Sequence, residues 1–351
     1  MHESPSSRRR RRVEECCATS FFLPGRGDMT VSVCIPTYNS AKYLRECIAS
    51  VLAQTFADFE VIVSDNASTD STCEIVRSFS DPRIALHRLE PFVGMAGNFN
   101  HALTLAKGKY IKFLCYDDLI DPACLEKQVS MLKQDSSLVL VTSGLCCVDA
   151  ARQTVREVAW CAKETILRDV DVITANLVYG NFIGLPSAAL IRRESLVKAG
   201  TFSEAFPQMM DVEMYLRLIR QGSVGYLPDR LCAQRLHLQA MTTTYRKTGV
   251  VRRDMRLLTE SMLRSVSPTW WARRVAWGRV AGSFLSQAMS GLRHGYLKWP
   301  LVAAGQAFLI DPFFLGLAAF MTLFQTGLLG LAAEGDRRLH VRTGRTLGER
   351  A

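Results

Sequence analysis

The sequence predicts an α/β protein built on a doubly wound, mostly parallel sheet, followed by a helical, membrane-leaning C-terminal extension. Three observations carry this expectation. Short apolar, β-branched runs alternate with stretches of helical periodicity from Val31 to Thr142, the pattern of strands joined by crossover helices. Polar residues collect directly after those runs, with Thr37 and Asn39 after the first, Asp65 after the second, and Asp117 and Asp118 after the fourth. In an open parallel sheet those strand ends are where ligands bind. Finally, Phe313 to Ala333 passes 21 residues without a charge.

The elements follow in order. Val31 to Pro36 reads as a buried strand. Ser40 can cap the next segment, in which Leu44, Cys47, Ile48, Val51 and Leu52 share one helical face. Phe59 to Ser64 is a second strand, and the turn Asp65-Asn66-Ala67-Ser68-Thr69-Asp70 leads to a capping-box pair, Ser71 and Glu74. Arg83 to His87 is a third strand. Asn98 can cap a helix ending near Gly108, and Tyr110 to Leu114 is a fourth strand. After Pro122 come another helix and a strand from Leu138 to Thr142. The middle region, 150–245, reads as a helix at Leu167 to Val178, a strand at Ser187 to Ile191, a helix at Val212 to Arg220 and a strand at Leu231 to Leu236.

Composition narrows the class. At 351 residues, with 48% hydrophobic and 22% charged residues, the chain can bury a sizeable core. The net charge of +10 is unevenly placed. Residues 8–12 are five consecutive arginines, and Arg246 to Lys298 holds eleven Lys/Arg against Asp254 and Glu260. Such asymmetry calls for an anionic partner. No zinc-finger spacing or aromatic RNA-binding signature occurs, and the basic stretch runs into apolar sequence, so a lipid surface is expected rather than nucleic acid. The eleven cysteines form no C-x-x-C pair and read as reduced core thiols, among them Cys34, Cys47 and Cys73. Residues 1–28 are polar and Arg-rich without the apolar core of a signal peptide, and are expected to be disordered. Met29, where order is expected to begin, is a candidate start.

Several residues can carry chemistry. Asp117 and Asp118 repel one another unless a positive charge intervenes, and a divalent cation bridging a diphosphate would supply it. A solvated turn with Asp118 or Asp121 as a cap would also account for them. Asp65 fits either an Asx-turn or an acceptor for a nucleobase or ribose donor. Asp211 opens an amphipathic helix, where a carboxylate serves the free amides or, on a cleft wall, acts as a general base. His237, after Arg235, is a surface residue or a metal or phosphate contact. Gly94 and Gly97, with Asn98 and Asn100, mark a loop before a helix.

Together these residues resemble the family 2 glycosyltransferases, whose catalytic domain has the GT-A fold. The resemblance covers about residues 30–245. It rests on Val31-Ser-Val-Cys-Ile-Pro-Thr-Tyr-Asn39, on Val63-Ser-Asp-Asn-Ala-Ser-Thr-Asp70, on Gly94 through Asp118, and on Gly200-Thr-Phe, Asp211, Leu216-Arg217-Leu218 and Arg235-Leu-His237. It implies that Pro36, Thr37 and Asn39 line a nucleotide pocket and that Asp65 accepts a hydrogen bond from the base. Asp117 would hold the ribose, Asp118 and His237 the metal-diphosphate, with Mn²⁺ or Mg²⁺ as cofactor, and Asp211 would deprotonate the acceptor hydroxyl. The implied reaction is inverting transfer from a UDP-linked sugar to a polysaccharide or lipid-linked acceptor. Two positions depart from the family pattern: Cys115 stands where an aspartate is usual, and Ser64 replaces the first acid of the base-binding turn.

The expected organisation is a basic segment 1–28, a catalytic domain 29–245, a basic helical region 246–298 and apolar helices with a basic tail, 299–351. A helix over the uncharged run reaches about 30 Å, enough to cross a bilayer core. Trp299 to Ile310 is a second apolar stretch just upstream; Lys298 precedes the pair and Arg337, Arg338, Arg342 and Arg345 follow it, which favours a hairpin or in-plane helices with both ends on the cytoplasmic face of the plasma membrane. Trp270, Trp271 and Trp277 suit the headgroup layer. Two rivals remain. A non-catalytic binding or scaffold protein could keep the fold, and a nucleotidyltransferase would need a Gly-rich, Lys/Arg-bearing signature where Pro36-Thr37-Tyr38-Asn39 stands.

Overall fold

The computed structural model describes residues 29–237 and 250–266, with Arg273, residues 275–277 and Val280 beyond them. The arginine run at 8–12 and the uncharged run at 313–333 lie outside the described residues, as do Trp270 and Trp271. Among the described residues, no helix is long and apolar enough to cross a membrane. The chain divides into two compact units, Met1–Asp254 and Met255–Ala351.

The first unit opens with β1 (Val31–Thr37), α1 (Leu44–Leu52), β2 (Phe59–Asp65), α2 (Thr72–Arg77), β3 (Ile84–Arg88), α3 (Gly94–Leu105) and β4 (Tyr110–Phe113). These four strands lie side by side in the order β3-β2-β1-β4, all parallel. Every residue of β1 is buried, because helices cover both faces of the sheet there. Leu44, Cys47, Ile48 and Val51 form the buried stripe of α1, at the spacing the sequence shows. Cys34, Cys47 and Cys73 are buried, as expected of core thiols.

Beyond β4 the sheet becomes mixed. β5 (Leu119–Ile120), α4 (Cys124–Gln134), β6 (Leu138–Val148), β7 (Thr154–Val158), β8 (Thr165–Leu167), α5 (Asp169–Tyr179), a 3₁₀ turn (Pro186–Ala188), β9 (Leu190–Arg192), α6 (Arg193–Ala199), α7 (Met210–Leu218) and β10 (Ser223–Arg235) complete the unit. The main order continues β4-β9-β6-β10-β5. β9 is antiparallel to both β4 and β6, whereas β10 is parallel to β6. β1, β2, β3, β4, β6 and β10 therefore all run one way, and one edge gathers their carboxyl ends. The second unit includes the rest of α8 (Val250–Ser265), with Glu260 paired to Arg256 and Arg264 at the i±4 spacing of a solvated face.

Several local expectations are corrected by tertiary partners. Ser40 does not cap α1; its Oγ accepts the Tyr38 amide, while Thr72 and Asp70 accept the Ser40 and Ala41 amides. The Ser71/Glu74 capping box is not made, and Asp70 accepts the Thr72 amide instead. Asn98 is inside α3, which starts at Gly94, and does not cap it. Its buried side chain accepts the Ser64 hydroxyl (2.6 Å) and donates to the Thr37 carbonyl (3.1 Å), tying β1 to β2 beneath the carboxyl edge. Ser187 to Ile191 is a 3₁₀ turn followed by a three-residue strand. Asn98→Ala is expected to lower unfolding free energy by about 1–3 kcal/mol, the range for stripping a buried hydrogen-bonded polar group. Urea denaturation measures this loss; a change below about 0.5 kcal/mol would show that the tie carries no load.

Candidate active site

Two clusters of polar side chains sit on the carboxyl edge. The first joins the loops after β1 and β2. Pro36 and Thr37 are buried at the end of β1, and the Thr37 hydroxyl points to the Ser64 carbonyl (3.3 Å) and Asp65 Oδ1 (3.4 Å). Asp65 is fully buried, and its Oδ2 accepts the Ser68 amide at 3.1 Å, the turn bond its sequence suggests. Asn39 adopts φ 48°, a left-handed conformation asparagine tolerates. Its amide donates to Ser68 Oγ (2.8 Å) and its Oδ1 accepts the Thr69 amide (2.8 Å). The structure thus brings Thr37, Asn39 and Asp65 into one laced pair of loops.

At the mouth of this cluster, Tyr38 and Phe92 stay 47% and 53% exposed while their rings meet edge to face at 4.9 Å. The sequence reading passed over both. An aromatic between two pocket residues was a usable signal for Tyr38; Phe92 had none.

The second cluster is built on the loop after β4. Asp117 and Asp118 are adjacent in sequence but differ in environment. Asp118 is 3% exposed; its Oδ2 accepts the Ser187 hydroxyl at 2.6 Å and its Oδ1 the Arg235 amide at 3.1 Å. Burial, and then the charge of Asp117, push the Asp118 carboxyl up to about 8 despite those two donors. Asp117 keeps more access to solvent and meets His237 Nε2 through its Oδ2 at 2.9 Å. The His237 ring lies 4.8 Å from that of Tyr43.

The Arg235 side chain, 1% exposed, braces the loop from β10. Its Nε donates to the Asp117 carbonyl (3.1 Å), its Nη2 to Glu46 Oε2 (2.7 Å), and its guanidinium lies 4.6 Å from the centre of the Tyr43 ring. Burial raises the Glu46 carboxyl, but hydrogen bonds from Arg152 and Arg235 outweigh it and hold that group below its ordinary value.

Oxygen and sulfur atoms of Cys115, Asp117 and Asp118 lie within 4.8 Å of one another, close enough to share one cation. The Cys115 thiol is pushed well up by burial, then by Asp118 and Asp117, and also by Asp211. A negative potential from three acids is what a divalent cation relieves, and the donor set of carboxylates beside an imidazole suits Mn²⁺ or Mg²⁺. Asp211 occupies the first turn of α7. Burial pushes its carboxyl up to about 6, against the lowering effect of the Val212 and Asp211 amides.

Known proteins bear on this geometry. The family described as Glycosyl transferase family 2 matches residues 32–199. An uncharacterized protein of Mycobacterium tuberculosis is 29% identical over 260 residues, 69% of this chain and 81% of that protein. An uncharacterized glycosyltransferase of Rickettsia prowazekii is 30% identical over 218 residues, covering 61% of this chain and 66% of that protein. The UDP-Glc:alpha-D-GlcNAc-diphosphoundecaprenol beta-1,3-glucosyltransferase WfgD of Escherichia coli is 41% identical over 109 residues, 31% of this chain and 43% of that enzyme. Among the relatives named, the chain spans less than two thirds of the Rickettsia and Escherichia proteins. Among solved structures, S. aureus TarS superposes with a TM-score of 0.58 at 19% identity, over 81% of this chain and 50% of that one. Its 1–349 fragment in complex with UDP-GlcNAc gives 0.53 at 18% identity, over 79% of this chain and 91% of that one. Those two likenesses show a shared fold.

Proposed function

We propose that this chain, which belongs to the family 2 glycosyltransferases and has a GT-A-like α/β fold, transfers a sugar from a UDP-linked donor to a polysaccharide or lipid-linked acceptor with inversion. The observation that carries the proposal is the pairing of Asp117 with His237 beside the buried Asp118, on the carboxyl edge that also holds Asp65. Support for a UDP donor comes from TarS, whose structures include complexes with UDP and UDP-GlcNAc. The printed activity of WfgD, on a diphosphoundecaprenol-linked sugar, supports a lipid-linked acceptor.

In this reading Thr37, Asn39 and Asp65 form the floor under the base, Pro36 shapes the turn, and the exposed Tyr38 ring offers it a face. The sequence reading gave the metal to Asp118 and His237 and the ribose to Asp117. We now assign Asp117 and His237 as the side chains that would hold the cation, since the Asp118 oxygens are already engaged by Ser187 and Arg235. A bound divalent cation would neutralise charge on the departing diphosphate. Asp211 takes the proton of the acceptor hydroxyl as that oxygen forms its bond to the anomeric carbon. The bond from that carbon to the diphosphate breaks on the opposite face, and the diphosphate leaves with the electron pair.

The domain division and the membrane role belong to the same proposal. The basic segment 246–298 and the apolar sequence of 299–351 would hold the catalytic domain against the cytoplasmic face of the plasma membrane, where a lipid-linked acceptor is presented.

Calorimetric titration with UDP, GDP and dTDP, with and without Mn²⁺, tests the donor reading. Binding of UDP alone, dependent on Mn²⁺, is the expected result. A folded protein that binds none of the three would overturn it.

A further inference from the structure

We infer that Ser187 is a positioning residue for the acidic pair, set at its height by a buried strut of Lys112 and Gln128 beneath the Pro186–Ala188 turn. This rests on the reading of Asp117 and Asp118 as donor-binding acids. The residues are distant in sequence and meet only in the fold. Lys112 is in the middle of β4, 0% exposed, and its Nζ donates to Gln128 Oε1 on α4 (3.0 Å) and to the Ala189 carbonyl (3.5 Å). Gln128, also fully buried, donates through Nε2 to the Ala188 carbonyl at 2.6 Å. Two side chains from two elements therefore hold consecutive carbonyls at the end of the turn.

The same turn presents the buried Ser187 hydroxyl to the acidic loop. Its Oγ accepts the Cys115 amide at 3.0 Å and donates to Asp118 Oδ2 at 2.6 Å. One oxygen thus fixes both the backbone entering the loop and the carboxyl inside it. With Arg235 holding the other Asp118 oxygen, the carboxyl cannot rotate. The neighbouring Asp117 is thereby constrained to aim at His237.

A lysine side chain wholly buried against neutral oxygens is a costly filling for a sheet core, where an apolar side chain of similar volume would avoid desolvating an amine. Its presence is explained when the turn above it must keep a fixed height. Displacements of about 1 Å in such a site are enough to cost roughly 100-fold in rate.

The test uses the full chain and measures Mn²⁺-dependent UDP binding by calorimetry, with thermal unfolding alongside. Ser187→Ala is expected to weaken that binding by about 10- to 100-fold, as loss of a partner that orients a ligand does. Ser187→Thr, which keeps the hydroxyl, restores it to within about threefold of wild type, and Lys112→Met moves it in the same direction as the alanine change. Should the alanine variant fail to fold, the near-isosteric Ser187→Cys carries the same expectation. Undiminished binding in the folded Ala or Cys variant overturns the inference, as does a threonine variant as weak as alanine. If wild-type protein shows no Mn²⁺-dependent UDP binding, the donor-site reading fails and the inference falls with it.

Discussion

Asp211→Asn is expected to lower the transfer rate by about 100- to 10,000-fold, the range for loss of a positioned general base, with UDP binding kept within about twofold of wild type. The carboxyl opens α7 on a partly buried residue, and desolvation pushes it up to about 6. A base must be unprotonated to accept the acceptor hydroxyl proton. The wild-type rate should therefore be level above pH 6 and fall about tenfold per pH unit below it, a limb absent from the residual activity of the variant. The stability sign runs the other way from an ordinary salt-bridged aspartate. Raising a carboxyl from 3.8 to about 6 on folding costs on the order of 3 kcal/mol above pH 6, a cost that disappears below the unfolded value. The asparagine variant should accordingly melt no lower than wild type at pH 7.5. A normal transfer rate in this variant would remove Asp211 as the base; a lowered melting point would expose the rate loss as a folding defect.

The parts legible in the sequence were those governed by local periodicity. The buried run at Val31 and the stripe Leu44, Cys47, Ile48, Val51 declare their elements because each pattern is set by neighbours in the chain. Caps failed for the opposite reason. Ser40, Ser71 and Asn98 all have cap-forming side chains, but the amides at the start of α1 and α2 are bound by Asp70 and Thr72, and Asn98 is drawn between two strands. β5 and β8 are short and exist through long-range pairing with β10, and β7 is the short return strand of a hairpin with β6, so no run of alternation announces them. In the site, the acids could be found because charge after an apolar strand is conspicuous. What separates Asp117 from Asp118 was hidden, since it is made by Ser187, 69 residues away, and by Arg235, 117 residues away.

That difference in environment sets the second large effect. Asp117→Ala should weaken Mn²⁺-dependent UDP binding by at least about 10- to 100-fold and lower transfer by roughly 1,000-fold, because it removes the more accessible carboxylate and with it the 2.9 Å contact to His237. Asp118→Asn should be milder. An amide oxygen can still accept the Arg235 amide, and an amide nitrogen can face Ser187 with the hydroxyl turned to accept. Free Mn²⁺ counted by paramagnetic resonance, in the presence of UDP, reads both variants directly. The expected order is wild type, then Asp118→Asn, then Asp117→Ala. Were Asp118→Asn to abolish Mn²⁺ binding while Asp117→Ala kept it, the direct ligand would be Asp118 and Asp117 would return to the ribose. The Ser187 and Arg235 contacts would then have to loosen as the cation enters.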